Sequence, residues 1–396
     1  MPNYVIKCAR IFTPEASEFN RIYVRNDKIV HLSRHSAAAK SEAECTSGEE
    51  NDPLQSYLHD FQELDFSDLI AVPGFIDLQM NGSSDCNFWQ DISAEQLDTL
   101  RLEQAQHGVT TFLPTLITDS LESLKRRRDF LAKNGLGSSD CRRGLARIPG
   151  LHMEGPCLSR EKPGVHPVQH IQPLSLEVIK DLVPEGSRQV LLMTAALEGD
   201  SEGSAQAYLQ NQQVALSLGH SNATFEEAER AFARGARMLT HTFNALPPLH
   251  HRQPGAVGAA LLDDRVSCCL IADGLHLAPQ TCALIVKVKG LDRTILVTDR
   301  AAVGTSQGNL VGSSIILDEA VTNMIDWGIC DLEGAVRMAS TNAAAAIGLG
   351  HSLGQLGSGF LADIAFMDQD LKVRKTMIGG TLTPVEKSPP MTCHRQ

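Results

Sequence analysis

Short apolar runs alternate with amphipathic segments through the middle of this chain. The runs are GFIDLQMN (74–81), TTFLPTLI (110–117), IPGLHMEG (148–155), QVLLMTAAL (189–197), VALSLGHS (214–221), ARMLTHTFNA (236–245), VSCCLIADG (266–274) and TILVTD (294–299). Between them lie segments at 93–107, 119–134, 224–234 and 278–289 whose apolar residues recur at helical spacing. Strands that read as unbroken apolar runs are buried on both faces, as in parallel sheets covered by helices. Eight such strands with intervening helices over roughly 225 residues predict a (β/α)8 barrel. The rival, a doubly wound open sheet, lacks a GxGxxG after its first strand.

The chain ends follow a different pattern. Residues 4–12 and 21–32 are β-rich, and the second stretch contains an Asn-Asp turn, which predicts a hairpin sheet. Residues 36–56 are small, polar and acidic and read as a solvated loop. The last stretch, from LGQLGSGF onward, returns to short strands with glycine turns. The expected layout is a sheet assembled from both ends with a barrel inserted between them.

Composition narrows the function classes. Apolar residues at 42% and charged residues at 21% support a sizeable core and exclude wholesale disorder. With 35 Lys+Arg against 47 Asp+Glu, the net charge is −12, and no basic stripe is available to neutralise a nucleic-acid backbone. The ten cysteines are scattered without a CxxC pair, so a finger-type zinc site is not expected. Cys268 and Cys269, adjacent in an apolar run, suit buried free thiols. No apolar stretch reaches about 18 residues, so no membrane span is expected. The N-terminal MPNYVIKCARIF lacks the charged and apolar regions of a secretory leader, and a cytoplasmic location is the expectation.

Candidate chemistry collects at one end of the runs. Glu154 follows GLHM, His220 follows SLG, His241 follows LT and Asp299 follows LVT. Each falls at the C-terminal end of a predicted strand, the face on which barrel active sites are built. One carboxylate and two imidazoles leave a coordination position open, the pattern of a catalytic metal. The first strand carries Gln79-Met80-Asn81 where two-metal barrels carry His-x-His, and an amide is a poor ligand for zinc. A single metal ion held by Glu154, His220 and His241 is therefore expected.

The motifs PGFIDLQMNG (73–82), HGVTTFLPT (107–115), GLHMEGP (150–156), LGHSNAT (218–224), LTHTFNALPPLHHRQPG (239–255), ADGLHL (272–277) and VTD (297–299) together resemble the amidohydrolase superfamily. Within it they are most similar to the N-acetylglucosamine-6-phosphate deacetylases, and the ending GQLGSGFLADIAFMD (354–368) resembles the superfamily's return into its small domain. The resemblance implies a TIM-like metal-dependent hydrolase barrel (73–354) with a small β-sandwich domain formed by the two chain ends (1–72 and 355–396). It implies one divalent ion, most simply zinc, on Glu154, His220 and His241, with Asp299 as catalytic acid and base. It places Asn244, Ala245 and Asp273-Gly274-Leu275-His276 around the sugar, Val165 and His166 near its hydroxyls, and Leu310-Val311-Gly312 at the acetyl end. Arg252, with His251 beside it, would meet the phosphate from the neighbouring subunit of a homodimer with shared active sites. The substrate class is a small sugar phosphate, with neither nucleic acid nor membrane as partner.

Two departures from the family pattern carry expectations. Only RAAVGTSQGN separates Asp299 from LVGSS, a shorter excursion than usual, and Arg300 directly follows Asp299. A cation there is expected to depress the Asp299 pKa. The shortened loop also keeps open a related amidohydrolase acting on another N-acyl sugar or a cyclic amide. A catalytically silent barrel is the third reading, and retention of all four polar side chains argues against it.

Overall fold

The computed structural model describes residues 3–13, 19–34, 60–136, 144–302, 305–306 and 309–384. The acidic segment 36–56 lies outside the described residues. Strands β1 (Asn3–Ile11), β2 (Arg21–Arg25) and β3 (Lys28–Ser33) form an antiparallel set, with Asn26 of the β2–β3 turn at φ 58°. β4 (Phe61–Pro73) pairs parallel with β1. This long strand was not anticipated. Its acidic positions Glu63 and Asp68 face solvent, which breaks the apolar run by which the other strands are recognised.

The chain then enters the barrel. β5 (Phe75–Met80), β6 (Val109–Ile117), β7 (Leu151–Glu154), β8 (Val190–Ala195), β9 (Ala215–Leu218), β10 (Met238–Leu239), β11 (Ser267–Leu270) and β12 (Thr294–Leu296) pair in parallel in chain order. That order excludes the doubly wound sheet. The four anticipated helices are present at Ala94–Gln106, Leu121–Asn134, Phe225–Ala233 and Pro279–Lys289. Their starts follow from capping: Ser93 and Thr224 each accept an N–H of the first turn, and Gln96 and Glu227 reach back to the cap backbone.

Side-chain alternation sorts the strands' two faces. Ile76, Leu78, Leu113, Leu192, Met238, Cys269, Ile295 and Val297 form one buried cluster that is plugged by Ala343, Ala344, Ile347 and Leu353. Phe75, Phe112, Leu116, Cys268 and Leu296 belong to the larger cluster shared with the helices. Cys268 and Cys269 therefore join different clusters, and both are buried free thiols. β15 (Ile364–Met367), β16 (Val373–Ile378) and β17 (Thr381–Leu382) return to complete a seven-stranded sheet with β1–β4. The sheet curls over its own core of Ile6, Ile22, Phe66, Ile364 and Phe366, as the Ile29 N–H bonds to the Phe360 carbonyl at 2.9 Å. Arg147, beside β6, forms an ion pair at 2.8 Å with buried Asp363 and so ties barrel to sheet.

The seam between β12 and β5 closes through its exits. The Asp299 N–H donates to the Gln79 carbonyl (2.9 Å), and the Asn81 N–H donates to the Arg300 carbonyl (2.8 Å). Buried Asp77 reinforces this closure by accepting from the Thr298 hydroxyl (2.5 Å) and from the backbone N–H groups of Thr298 and Gln79 (3.2 Å each). Burial pushes its carboxyl up to about 6 despite those bonds. This folded value lies above the roughly 3.9 of an unfolded aspartate. The associated stability is therefore full below that unfolded value and is lost as pH rises through the folded one. Asp77→Asn cannot ionise, so wild type should lose up to about 3 kcal/mol relative to this variant between about pH 4 and pH 7. Denaturant unfolding of both proteins at the two pH values measures it. A difference that stays constant would mean that Asp77 titrates normally.

Candidate active site

The barrel strands end where the chain turns sharply, and the polar side chains sit on those turns. Glu154 is the last residue of β7, whereas His220, His241 and Asp299 follow β9, β10 and β12 with φ of 48°, 25° and 50°. Non-glycine residues in this left-handed region are strained, and such strain gathers at functional sites. Phe243 (φ 77°) and Ala245 (φ 50°) continue the turn after β10. This explains why β10 spans two residues where the apolar run had suggested ten.

Three of these side chains converge. His241 Nε2 lies 3.1 Å from Glu154 Oε1 and 3.1 Å from His220 Nε2, and His220 Nε2 lies 3.4 Å from the same carboxylate oxygen. All three residues are buried. The outer ring nitrogens are committed: His220 Nδ1 donates to the Lys162 carbonyl (3.0 Å) and His241 Nδ1 to the Asn244 carbonyl (3.1 Å). Carbonyls only accept, so each neutral ring turns an Nε2 lone pair toward the other and toward a carboxylate. Three acceptors at this separation repel one another unless a cation sits among them. The donor set, two imidazoles and one carboxylate with fixed tautomers, fits a divalent metal with an open position. If protons instead of a metal occupied this gap, burial alone would raise the Glu154 carboxyl, but hydrogen bonds from the protonated His220 and His241 rings would outweigh it and hold that carboxyl well below the usual range.

Asp299 faces this trio across two amides. Gln79 Nε2 donates to Glu154 Oε1 (2.9 Å) and to Asp299 Oδ1 (3.0 Å), while Asn81 Nδ2 donates to the same Asp299 oxygen (2.7 Å). Burial, then the charge of Glu154, push the Asp299 carboxyl up to about 7, against the opposing influence of His241 and the Asn81 bond. The expected depression by Arg300 is overturned. Its guanidinium turns away to pair with Glu103 at 2.7 Å, and the pull on Asp299 comes from other groups.

A cavity of about 320 Å³ opens over these groups. Val165, His166, Asn244, Ala245, His276, Val311 and Gly312 line it, together with Glu154, His220, His241 and Asp299. His166 is buried and its Nδ1 accepts the Thr118 N–H (3.2 Å), so its proton is on Nε2; burial holds its pKa well below the ordinary value and keeps it neutral. His276 Nδ1 meets Asp273 Oδ2 at 2.6 Å, and Asp273 Oδ1 accepts the backbone N–H groups of Leu275 and His276 (2.8 Å each). Asp273 thus shapes the loop without lining the cavity, as does Gly274 at φ 76°. Leu275 points outward at 73% exposure. His251 and Arg252 also lie outside the cavity, exposed on the His250–Gln253 turn. Leu310 is placed by its backbone in the two-residue strand pair β13 (Thr305–Ser306) and β14 (Asn309–Leu310).

The site also holds residues whose part in it the sequence reading did not give. Gln79 and Asn81 had been read as non-ligands, and their role as donors to Asp299 had no sequence signal beyond their place in the first strand. Trp89 and Ile117 line the wall. The adjacent aromatics Phe88 and Trp89 in a largely polar loop were the available hint for Trp89.

Fold and site together define a barrel hydrolase of the metal-dependent kind, and comparison with known proteins gives the family. The amidohydrolase family matches residues 70–383, and the chain belongs to it. An N-acetylglucosamine-6-phosphate deacetylase of Lysinibacillus sphaericus is 32% identical over 342 residues, covering 81% of this chain and 87% of that protein. Among solved structures, the N-acetylglucosamine-6-phosphate deacetylase of Pasteurella multocida is 28% identical with a TM-score of 0.80, covering 96% of this chain and 99% of that one. A mutant of the Mycobacterium smegmatis N-acetyl-D-glucosamine-6-phosphate deacetylase, in complex with N-acetyl-D-glucosamine-6-phosphate, is 26% identical with a TM-score of 0.80, covering 97% and 100%.

Proposed function

We propose that this chain hydrolyses the acetamide of N-acetyl-D-glucosamine 6-phosphate to D-glucosamine 6-phosphate and acetate. The observation that carries this reading is the meeting of Glu154, His220, His241 and Asp299 in one cavity, in a chain that has deacetylases of that sugar phosphate among its relatives across most of its length. Glu154, His220 and His241 would hold one divalent ion, for which zinc is the assignment best suited to two imidazoles and a carboxylate. Such an ion supplies Lewis acidity to an acyl oxygen and to the attacking water.

The chain's own groups supply the rest. Asp299 uses the oxygen left free by Gln79 and Asn81 to take the proton of the attacking water, then delivers it to the departing amine. Neutral His166 donates from Nε2 to a sugar hydroxyl. His276, held by Asp273, and the Asn244-Ala245 turn orient the sugar, with Val165 beside His166. Gly274 and Leu275 complete the loop that carries His276, and Leu310-Val311-Gly312 closes the acetyl end.

The phosphate requires a further group. Among the described residues, no Lys or Arg lines the cavity. A dianion seated there needs a cation from outside, and Arg252 on its exposed turn, with His251 adjacent, is suited to reach a partner's cavity in a homodimer. Arg252→Ala should raise KM by about 10- to 100-fold with a much smaller change in kcat, since a charge-assisted contact to a non-reacting group is lost. Steady-state kinetics give the split, and an unchanged KM would remove Arg252 from phosphate binding. Subunits carrying Arg252→Ala, mixed with subunits carrying Asp299→Asn, should regain activity, because one of the two shared sites is then intact. The cellular setting consistent with this reading is the cytoplasm, and no helix among the described residues is long and apolar enough to cross a membrane. The substrate reading itself is tested by a panel of N-acetyl sugars with and without the 6-phosphate. Equal rates on both would favour an amidohydrolase of other N-acyl sugars.

A further inference from the structure

We propose that Trp89 is a positioning residue for Asp299, acting through the side-chain amide of Asn81. The inference rests on the reading of Asp299 as the proton-transferring group. Asn81 is buried, and its amide bridges two partners: Nδ2 donates to Asp299 Oδ1 at 2.7 Å, while Oδ1 accepts from Trp89 Nε1 at 3.3 Å. The two ends of an amide are nearly equal in shape, so packing alone does not choose between its orientations. Chemistry does, because an indole N–H can only donate. Turning the amide over would set its oxygen against the Asp299 carboxylate and its NH2 against the indole N–H, which makes two repulsive contacts from two attractive ones. Trp89 therefore keeps a donor, and not an acceptor, on Asp299.

The loop that presents Trp89 is itself fixed. The Phe88 N–H bonds to the Asn81 carbonyl (3.0 Å), the Ser83 N–H to the Cys86 carbonyl (2.7 Å) and the Trp89 N–H to Asn87 Oδ1 (2.9 Å). Gly82 permits the fold-back: its φ is 133°, and a Cβ there would lie 2.1 Å from the Cys86 carbonyl oxygen. Phe88 is buried beside it and anchors the loop in the core. With Asn81 so oriented, Asn81 and Gln79 both donate to Asp299 Oδ1, and the second oxygen stays available for the proton. One hydrogen-bonded chain thus runs from the loop through Trp89, Asn81, Asp299 and Gln79 to Glu154.

Kinetics and spectroscopy test this independently. Trp89→Phe keeps an aromatic ring and removes the N–H. It should lower kcat by roughly 2- to 10-fold, the range expected for one neutral hydrogen bond, with KM and metal content nearly unchanged. In an Asn81→Ala background the same substitution should have no further effect on kcat. The chain has two tryptophans, so its indole N–H spectrum holds two resonances, and the one lost in Trp327→Phe belongs to Trp327. The remaining resonance should move upfield in Asn81→Ala. A loss confined to KM would make Trp89 a wall for the sugar, and additive kcat losses or an unmoved indole resonance would overturn the proposal. A wild type that released no acetate would sink the substrate assignment, while the indole resonance would still decide the contact between Trp89 and Asn81.

Discussion

Asp299→Asn is expected to lower kcat by about 10²- to 10⁴-fold, the usual worth of a general acid–base group, while metal content and KM stay close to wild type. The variant is a near-isostere in a prepared setting. Gln79 Nε2 and Asn81 Nδ2 both donate to Oδ1 of Asp299, so an asparagine there turns its carbonyl oxygen toward them and its NH2 toward the open side. That NH2 can only donate, and it meets the water at the position where a proton must be accepted. Burial of the native carboxyl, which brings it up to about 7, makes it a stronger base than an exposed aspartate and raises what is lost. Acetate release under saturating substrate, with metal analysis on the same sample, measures the effect. Turnover within a few-fold of wild type would exclude Asp299 from proton transfer.

His241→Ala should act at an earlier stage, by removing the ion itself. It deletes one of three protein donors, and metal affinity should fall by more than the roughly 10- to 100-fold typical of disturbing an outer-shell partner. Activity should then follow occupancy and recover partly in excess metal. The fold should survive, because His241 sits on the exit turn of β10 while the core lies in the strands below. His220→Ala is expected to behave alike, as its Nε2 lies 3.1 Å from that of His241. Elemental analysis after exhaustive dialysis, beside circular dichroism, gives the answer. Full occupancy in either variant would show that the ligand set is misassigned.

Much of this arrangement is legible in the sequence because barrels couple position to pattern. A buried parallel strand declares itself as an apolar run, and its C-terminal end is where functional side chains emerge, so the gathering of Glu154, His220, His241 and Asp299 in one cavity could be anticipated from where their runs stop. Ligand types also carry meaning by themselves, since imidazole and carboxylate bind metals where amides do not. What escaped depends on three-dimensional neighbours. β4 hides because solvent-facing acids interrupt its apolar pattern, although Ala71, Val72 and Pro73 at its end are buried. Gln79 and Asn81 gain their role only when closure of the seam brings Asp299 beside the first strand, some 220 residues away in sequence. Arg300 misleads for the complementary reason: adjacency along the chain suggested a nearby charge, but successive side chains diverge, and Glu103 captures the guanidinium. Positive φ at His220, His241 and Asp299 likewise follows from the turns and not from residue type.

The central claim, a metal-dependent sugar-phosphate deacetylase, meets its most direct test in one preparation assayed for both metal and acetate. The account predicts about one divalent ion per chain, acetate released from N-acetyl-D-glucosamine 6-phosphate, and loss of that activity on chelation with recovery when zinc is restored. Protein that carries its full complement of metal and releases no acetate from this substrate would contradict it.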